Sequence, residues 1–193
     1  MNKKIEIEIP EGKVAEWQEI NGVTTLVLTE EKDNRPVTER IKTFEDAYIE
    51  LVRFGNFSEG ISKLLFDYEY NACNIKDKGT LAYMKLCIIA AALNEGWEPQ
   101  FTKEEHRYCP WFYLYTQEKI DKMEEEKKKK LHRFSGSSNN GAYCGLVYTD
   151  SISGYVPLCM DCPARLSVKS DKLAKYFGQQ FIDIWADYLI CKS

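Results

Sequence analysis

Between Leu81 and Leu93 only Lys85 interrupts an otherwise apolar run, and Gly96 and Pro99 follow it closely. A helix that is apolar on nearly every side must be covered on nearly every side, so this segment predicts a buried central helix over about Thr80–Asn94. Ala90, Ala91 and Ala92 let neighbouring elements approach closely. Gly96 suits the position just past a helix end, where a positive φ costs glycine little, and Pro99 prevents continuation. The run is too short to cross a bilayer. With 193 residues, 44% of them apolar and 13% aromatic, the chain can build a sizeable core as a single domain over 1–193.

The flanking segments set the fold class. Lys3 to Ile9 alternates isoleucine with charge and predicts a half-buried strand closed by Pro10-Glu11-Gly12. Val23 to Thr29 reads as a second strand, with Asn21-Gly22 as a turn signal before it. Thr43 is a helix N-cap with Asp46 as its reciprocal partner, opening a helix over about Phe44–Arg53. Ile61 to Tyr70 reads as a short helix. Tyr108 to Tyr115 is an aromatic strand in which Pro110 marks an edge or a bulge. Tyr143 to Thr149 and Arg165 to Lys169 read as further strands. Ser170 caps a long amphipathic helix through Ile190. Without regular βαβ alternation, the order predicts an α+β fold, its mainly antiparallel sheet packed against the buried central helix and the C-terminal helix. Residues 117–141 read as an exposed charged arm and a flexible Gly/Ser loop.

The formal net charge of −4 gives no global attraction to nucleic acid or anionic membrane. The first residues carry no apolar export core, and seven cysteines form an odd set, so the expected setting is cytoplasmic with reduced thiols. On that reading the Asn56-Phe57-Ser58 sequon carries no glycan.

Few spacings carry chemistry. Cys159 and Cys162 stand two residues apart between Pro157 and Pro163. Two thiolates at this spacing can share a zinc ion, but a structural site needs four ligands. Only the scattered Cys109, Cys144, His106 and His132 could complete it. The plainer expectation is a pair of thiols in a turn, and no cofactor is implied. His106 and His132 lie in charged surroundings and read as solvated. Asp183 and Asp187 share the wet side of the last helix. No phosphate-binding loop, nucleophile elbow or metalloprotease motif is present. Lys128, Lys129 and Arg133 could touch phosphates in a zinc-stabilised nucleic-acid contact, but Glu124-Glu125-Glu126 offset their field through i,i+4 pairs.

The aromatic strand is the better candidate. Alternation puts Trp111, Tyr113 and Tyr115 on one face and Phe112 with Leu114 on the other. Tyr and Trp offer an apolar body with a polar tip, which suits a ligand- or partner-binding face. The adjoining loop, with Ser137, Asn139 and Asn140, could close over it.

The ordered set KIEIEIPEG, TFEDAYIEL, LNEGWEPQFT and RLSVKSDKLAKYFGQQFIDIWADYL resembles a group of proteins from phages and prophages of Bacteroides-type bacteria. This chain departs from the group in reading Glu98-Pro99 after Trp97 and in its Lys-rich segment. The resemblance implies a mobile-element origin and assigns no site residues. Together these readings lead to a non-enzymatic accessory protein that binds a protein partner or itself. The alternative is a small-molecule binder that captures a nucleotide signal, thereby countering host defence; an enzyme is the weakest reading.

Overall fold

The computed structural model describes residues 6–31, 33–54, 58–100, 102, 105–129, 131–133, 143–154 and 163–190. Where the sequence suggests one domain, contacts group the chain into two compact units, Met1–Arg35 and Pro36–Ser193.

The first unit is a β-hairpin. Strands β1 (Lys13–Ile20) and β2 (Val23–Glu30) pair antiparallel from Lys13↔Glu30 to Ile20↔Val23. Its two-residue turn is Asn21-Gly22, with φ of 52° and 77°. Positive φ at both positions is what a type I′ hairpin turn demands, and Asn-Gly meets it best. Alternation in the sequence predicts the first strand at Lys3–Ile9. Glu6 to Pro10 instead has no ladder partner, and the strand lies after Gly12. The Asn-Gly pair signals not only the strand after it but an equal one before it.

The second unit carries the core. In order come α1 (Val37–Arg40), α2 (Phe44–Phe54), α3 (Glu59–Asn71) and α4 (Lys78–Asn94). After β3 (Arg107–Thr116) come α5 (Gln117–Asp121), α6 (Glu125–Lys128), β4 (His132–Arg133) and β5 (Tyr143–Gly154). A 3-10 turn at Ala164–Leu166 precedes α7 (Asp171–Gln180) and α8 (Ile182–Ile190). The fold is α+β, with an antiparallel sheet of order β3-β5-β4.

Helix α4 is the centre of the core. Leu86, Ile88, Ile89 and Leu93 are fully buried, and Cys87, Ala90 and Ala92 nearly so. Helices α2, α3, α7 and α8 all pack on it. The exception in the apolar run, Lys85, lays its ammonium over the Phe44 ring at 4.9 Å. Asp77 caps the helix start by accepting from the Thr80 N–H. Thr43 and Asp46 cap α2 reciprocally, at 3.1 and 2.9 Å, as the sequence suggests.

The end of α4 differs from expectation by one residue. Glu95 already has φ +50°, before Gly96 at +88°. Two cations hold this uncommon glutamate conformation. Arg40 bonds one carboxylate oxygen of Glu95 at 2.6 Å, and Lys169 the other at 3.0 Å.

The closing helix runs as anticipated but breaks once, at Phe181 (φ −112°, ψ 30°). The break turns the Phe181 ring into the core, where it meets Tyr176 and Phe177 edge-on. Arg165–Lys169 is no strand: only Val168 bridges to Tyr108, after the 3-10 turn.

Candidate functional site

Strand β3 is an outer strand of its sheet, which is how Pro110 is tolerated. The register with β5 also shifts between Trp111 and Phe112. The expected alternation holds only in part, because Trp111 lines the same cleft as Phe112 and Leu114 and Tyr115 is not exposed. Trp111 and Tyr113 are 40% and 56% exposed. Phe112 and Leu114 pack inward against the cluster of Leu146 and Ala186. Tyr115 is half-buried, its ring 6.3 Å from that of Tyr113. Behind this strand a cleft of about 240 Å³ runs between Trp111, Phe112 and Leu114 on one side and Trp185, Tyr188 and Leu189 on the other. Ser137, Asn139 and Asn140 lie outside the described residues.

The basic segment is internally compensated. Lys127, Lys128 and Lys129 bond Glu124, Glu125 and Glu126 at 3.4, 2.7 and 2.7 Å. The pairs are i,i+3 rather than the anticipated i,i+4, because α6 is a single turn. Arg133 lies in β4 opposite Gly145. The segment is also less of an arm than its charge suggests, since Ile120 of α5 is buried. His132 is not merely solvated: its Nε2 sits 3.1 Å from Asp183 Oδ1. That contact engages one of the two helix carboxylates. His106 is exposed, near the Tyr108 ring.

Cys159 and Cys162 lie outside the described residues. Among the described residues no three His, Cys, Asp or Glu side chains converge as metal ligands. Contrary to the expectation of reduced thiols, Cys109 is disulfide-bonded. A disulfide sulfur is not a thiolate, so Cys109 cannot complete a zinc site in this state. Cys73 and Cys87 are unbridged.

Two features escaped the sequence reading. The first is the hairpin surface. One face of β1–β2 carries Ala15, Trp17, Leu26 and Leu28, brought opposite one another by the pairs Ala15↔Leu28 and Trp17↔Leu26. Trp17 is 70% exposed and Leu28 38%. The other face carries Val14, Ile20, Val23 and Val27, with Val23 63% exposed. The signal was available in the Asn-Gly turn and the flanking apolar residues.

The second is a cavity of about 200 Å³ beneath the turn that ends α4. Ile61 and Leu64 of α3, Cys87 and Ala91 of α4, Trp97 and Pro99 of the turn, and Arg165 of the 3-10 turn line it. Glu105 fastens the turn by accepting from the Gln100 N–H at 2.9 Å. Burial pushes the Cys87 thiol up to about 11, with smaller opposing effects from the Tyr83 hydroxyl and the Arg165 charge. Burial likewise pushes the Tyr83 phenol up to about 12. At neutral pH the thiol is therefore protonated and packs as a small apolar group rather than a nucleophile.

No protein-family model matches this chain, and neither a curated protein nor a solved structure matches it. Among the described residues no helix is long and apolar enough to cross a membrane.

Proposed function

We propose that this is a non-catalytic binding protein whose N-terminal hairpin docks onto a protein partner. The observation that carries the reading is a two-stranded sheet with Trp17 at 70% exposure on one face and Val23 at 63% on the other. A two-stranded hairpin has no second layer of its own and is at best marginally stable in water until one covers it. Covering Trp17 alone would contribute roughly 2–3 kcal/mol.

Charge selects the partner. Between Glu6 and Glu31 there are seven glutamates and one lysine. Two such hairpins repel one another, whereas an apolar groove rimmed by Lys and Arg attracts one. The exposed Trp111 and Tyr113 on β3 offer a second aromatic surface of the same character. The phage-type resemblance fits an accessory protein of this kind. The neutral Cys87 thiol and the Glu-paired lysines supply neither a nucleophile nor an open phosphate-binding patch in their neighbourhoods.

The test compares the full chain with a Trp17→Ser, Leu28→Ser variant. Light scattering should show a monomer for both. A partner captured from host lysate and then purified should bind the wild type, bind more weakly as salt rises, and lose binding to the variant. Binding indifferent to both salt and the double substitution would overturn the proposal. So would a concentration-dependent wild-type dimer that the substitutions dissolve, which would make a second copy the occupant.

A further inference from the structure

We infer that the cavity beneath the Trp97–Pro99 turn binds a small monoanion with a flat apolar body, of the aryl- or indolyl-carboxylate class. This site lies wholly within the second unit and goes beyond the partner-binding reading. Its volume of about 200 Å³ is far more than one water needs and lies below the usual range for drug-sized ligands. That suits a molecule of about a dozen non-hydrogen atoms.

The walls define the body of the ligand. Ile61, Leu64, Ala91 and Pro99 are apolar and half-buried, and the Trp97 indole stands among them, also half-buried. Such walls take a flat ring by stacking and dispersion, which the aromatic quadrupole strengthens.

The charges define its head group. Arg165 lines the cavity and makes no ion pair among the described residues. Arg40 and Lys169, the two cations that hold Glu95 at the end of α4, are by contrast already committed to Glu50 and Glu95. A guanidinium offers a planar fork that fits a carboxylate through two hydrogen bonds. Glu98 also lines the cavity, so a second negative charge on the ligand would be repelled. This favours a carboxylate over a phosphate dianion. The Ser58 hydroxyl makes no capping bond to its helix and can serve as a further donor.

Gly60 provides the control. A Cβ built there meets only Ser58 Oγ, at 3.8 Å, so a side chain can start from this lining position without a backbone clash and take up space in the cavity. Calorimetry on the full chain should show saturable binding of indole-3-propionate to the wild type. The neutral indole-3-propanol, and indole-3-propionate on Arg165→Gln, should each bind about three- to fivefold more weakly, the loss expected for a solvent-screened pair on an exposed guanidinium. Gly60→Phe should abolish binding while leaving the melting temperature unchanged. Trp17→Ser should leave binding intact, which separates this site from the hairpin. The inference is overturned if none of the three probes, indole-3-propionate, indole-3-propanol and phenyl phosphate, saturates the wild type. It is also overturned if binding survives Arg165→Gln and Gly60→Phe, or if phenyl phosphate binds more tightly than the carboxylate.

Discussion

Asn94 closes the core at the end of α4, and its replacement should be among the costlier single changes in the chain. The side chain is 4% exposed. Its amide donates to the Ser167 carbonyl at 2.9 Å, and its carbonyl accepts from the Lys169 N–H at 3.0 Å. One side chain thus serves two backbone groups of a non-helical segment, much as a neighbouring strand would. Asn94→Ala removes both partners. Each buried backbone group deprived of its partner costs about 1–3 kcal/mol, giving a range of about 2–6 kcal/mol. Asn94 borders the cavity, so water can reach part of the gap, which places the expectation near 3 kcal/mol. In urea that moves the unfolding midpoint by about 1.5 M, and in a thermal scan it lowers Tm by about 6–12 °C.

Asn94→Asp separates the donor from the acceptor. The aspartate can still accept from Lys169 but sets an oxygen against the Ser167 carbonyl. Burial and that carbonyl raise its folded pKa above the unfolded value. The Lys169 ammonium, which bonds the Asn94 main-chain oxygen at 3.2 Å, opposes part of the rise. A carboxyl with a raised folded pKa binds protons more readily in the native state. The deficit of the variant against wild type should therefore shrink as pH falls from 7 towards 4, when the acid hydroxyl can donate to Ser167. If Asn94→Ala costs under about 1 kcal/mol, or the Asp deficit does not change with pH, the latch is not what holds this segment.

Four further outcomes follow from the packing and the thiols. Trp185 Nε1 is buried without an acceptor while its ring lies among Phe112, Phe177 and Tyr188, so Trp185→Phe should cost only about 1 kcal/mol in urea unfolding, against about 3–5 kcal/mol for Trp185→Ala. A Cβ on Gly145 would lie 2.8 Å from the methyls of Ile120 and Leu131, so Gly145→Val should cost about 1–3 kcal/mol, with part recovered by adding Ile120→Ala. The Cys87 thiol, raised from 9.0 to about 11 by burial, gives stability that is complete below pH 9 and lost as pH climbs to 11; urea midpoints over that window should fall by an equivalent of about 2–3 kcal/mol, and Cys87→Ala should flatten the decline. Iodoacetamide followed by mass spectrometry should label exposed Cys73 in the native protein, spare buried Cys87, and reach Cys109 only after reduction.

Local rules made much of the fold legible. Thr43 with Asp46 and the apolar run through Leu93 each set one helix by capping or periodicity, and both are present, whereas the stripe from Leu173 to Leu189 reads as one helix and is two, α7 and α8, broken at Phe181. The failures share a different origin. The alternation of Ile5, Ile7 and Ile9 satisfies the strand pattern, yet a strand also needs a partner, and the Asn-Gly turn supplies one only to Lys13–Ile20. Arg165–Lys169 has a strand's composition, but its backbone groups go to Asn94 and to a single bridge with Tyr108. The Glu95 conformation depends on Arg40 and Lys169, 55 residues before it and 74 after it, which no local window contains.

The same distinction explains which site residues were visible. Trp111, Tyr113 and Tyr115 lie on one strand, so period-two alternation alone singles them out, and Trp111 and Tyr113 are exposed. The cavity draws Ile61, Ala91, Trp97 and Arg165 from four separate segments. Read singly, Trp97 is part of a helix stop and Arg165 is part of a short strand. They acquire a joint meaning only because Asn94 and Glu95 draw the end of α4 against the segment from Ser167 to Lys169. The groups that hold the fold at this corner therefore also bring a cation to an apolar cavity. It follows that Asn94→Ala should weaken indole-3-propionate binding even under conditions where the protein stays folded, because Arg165 loses its anchor. Gly60→Phe, by contrast, should remove binding with the latch intact.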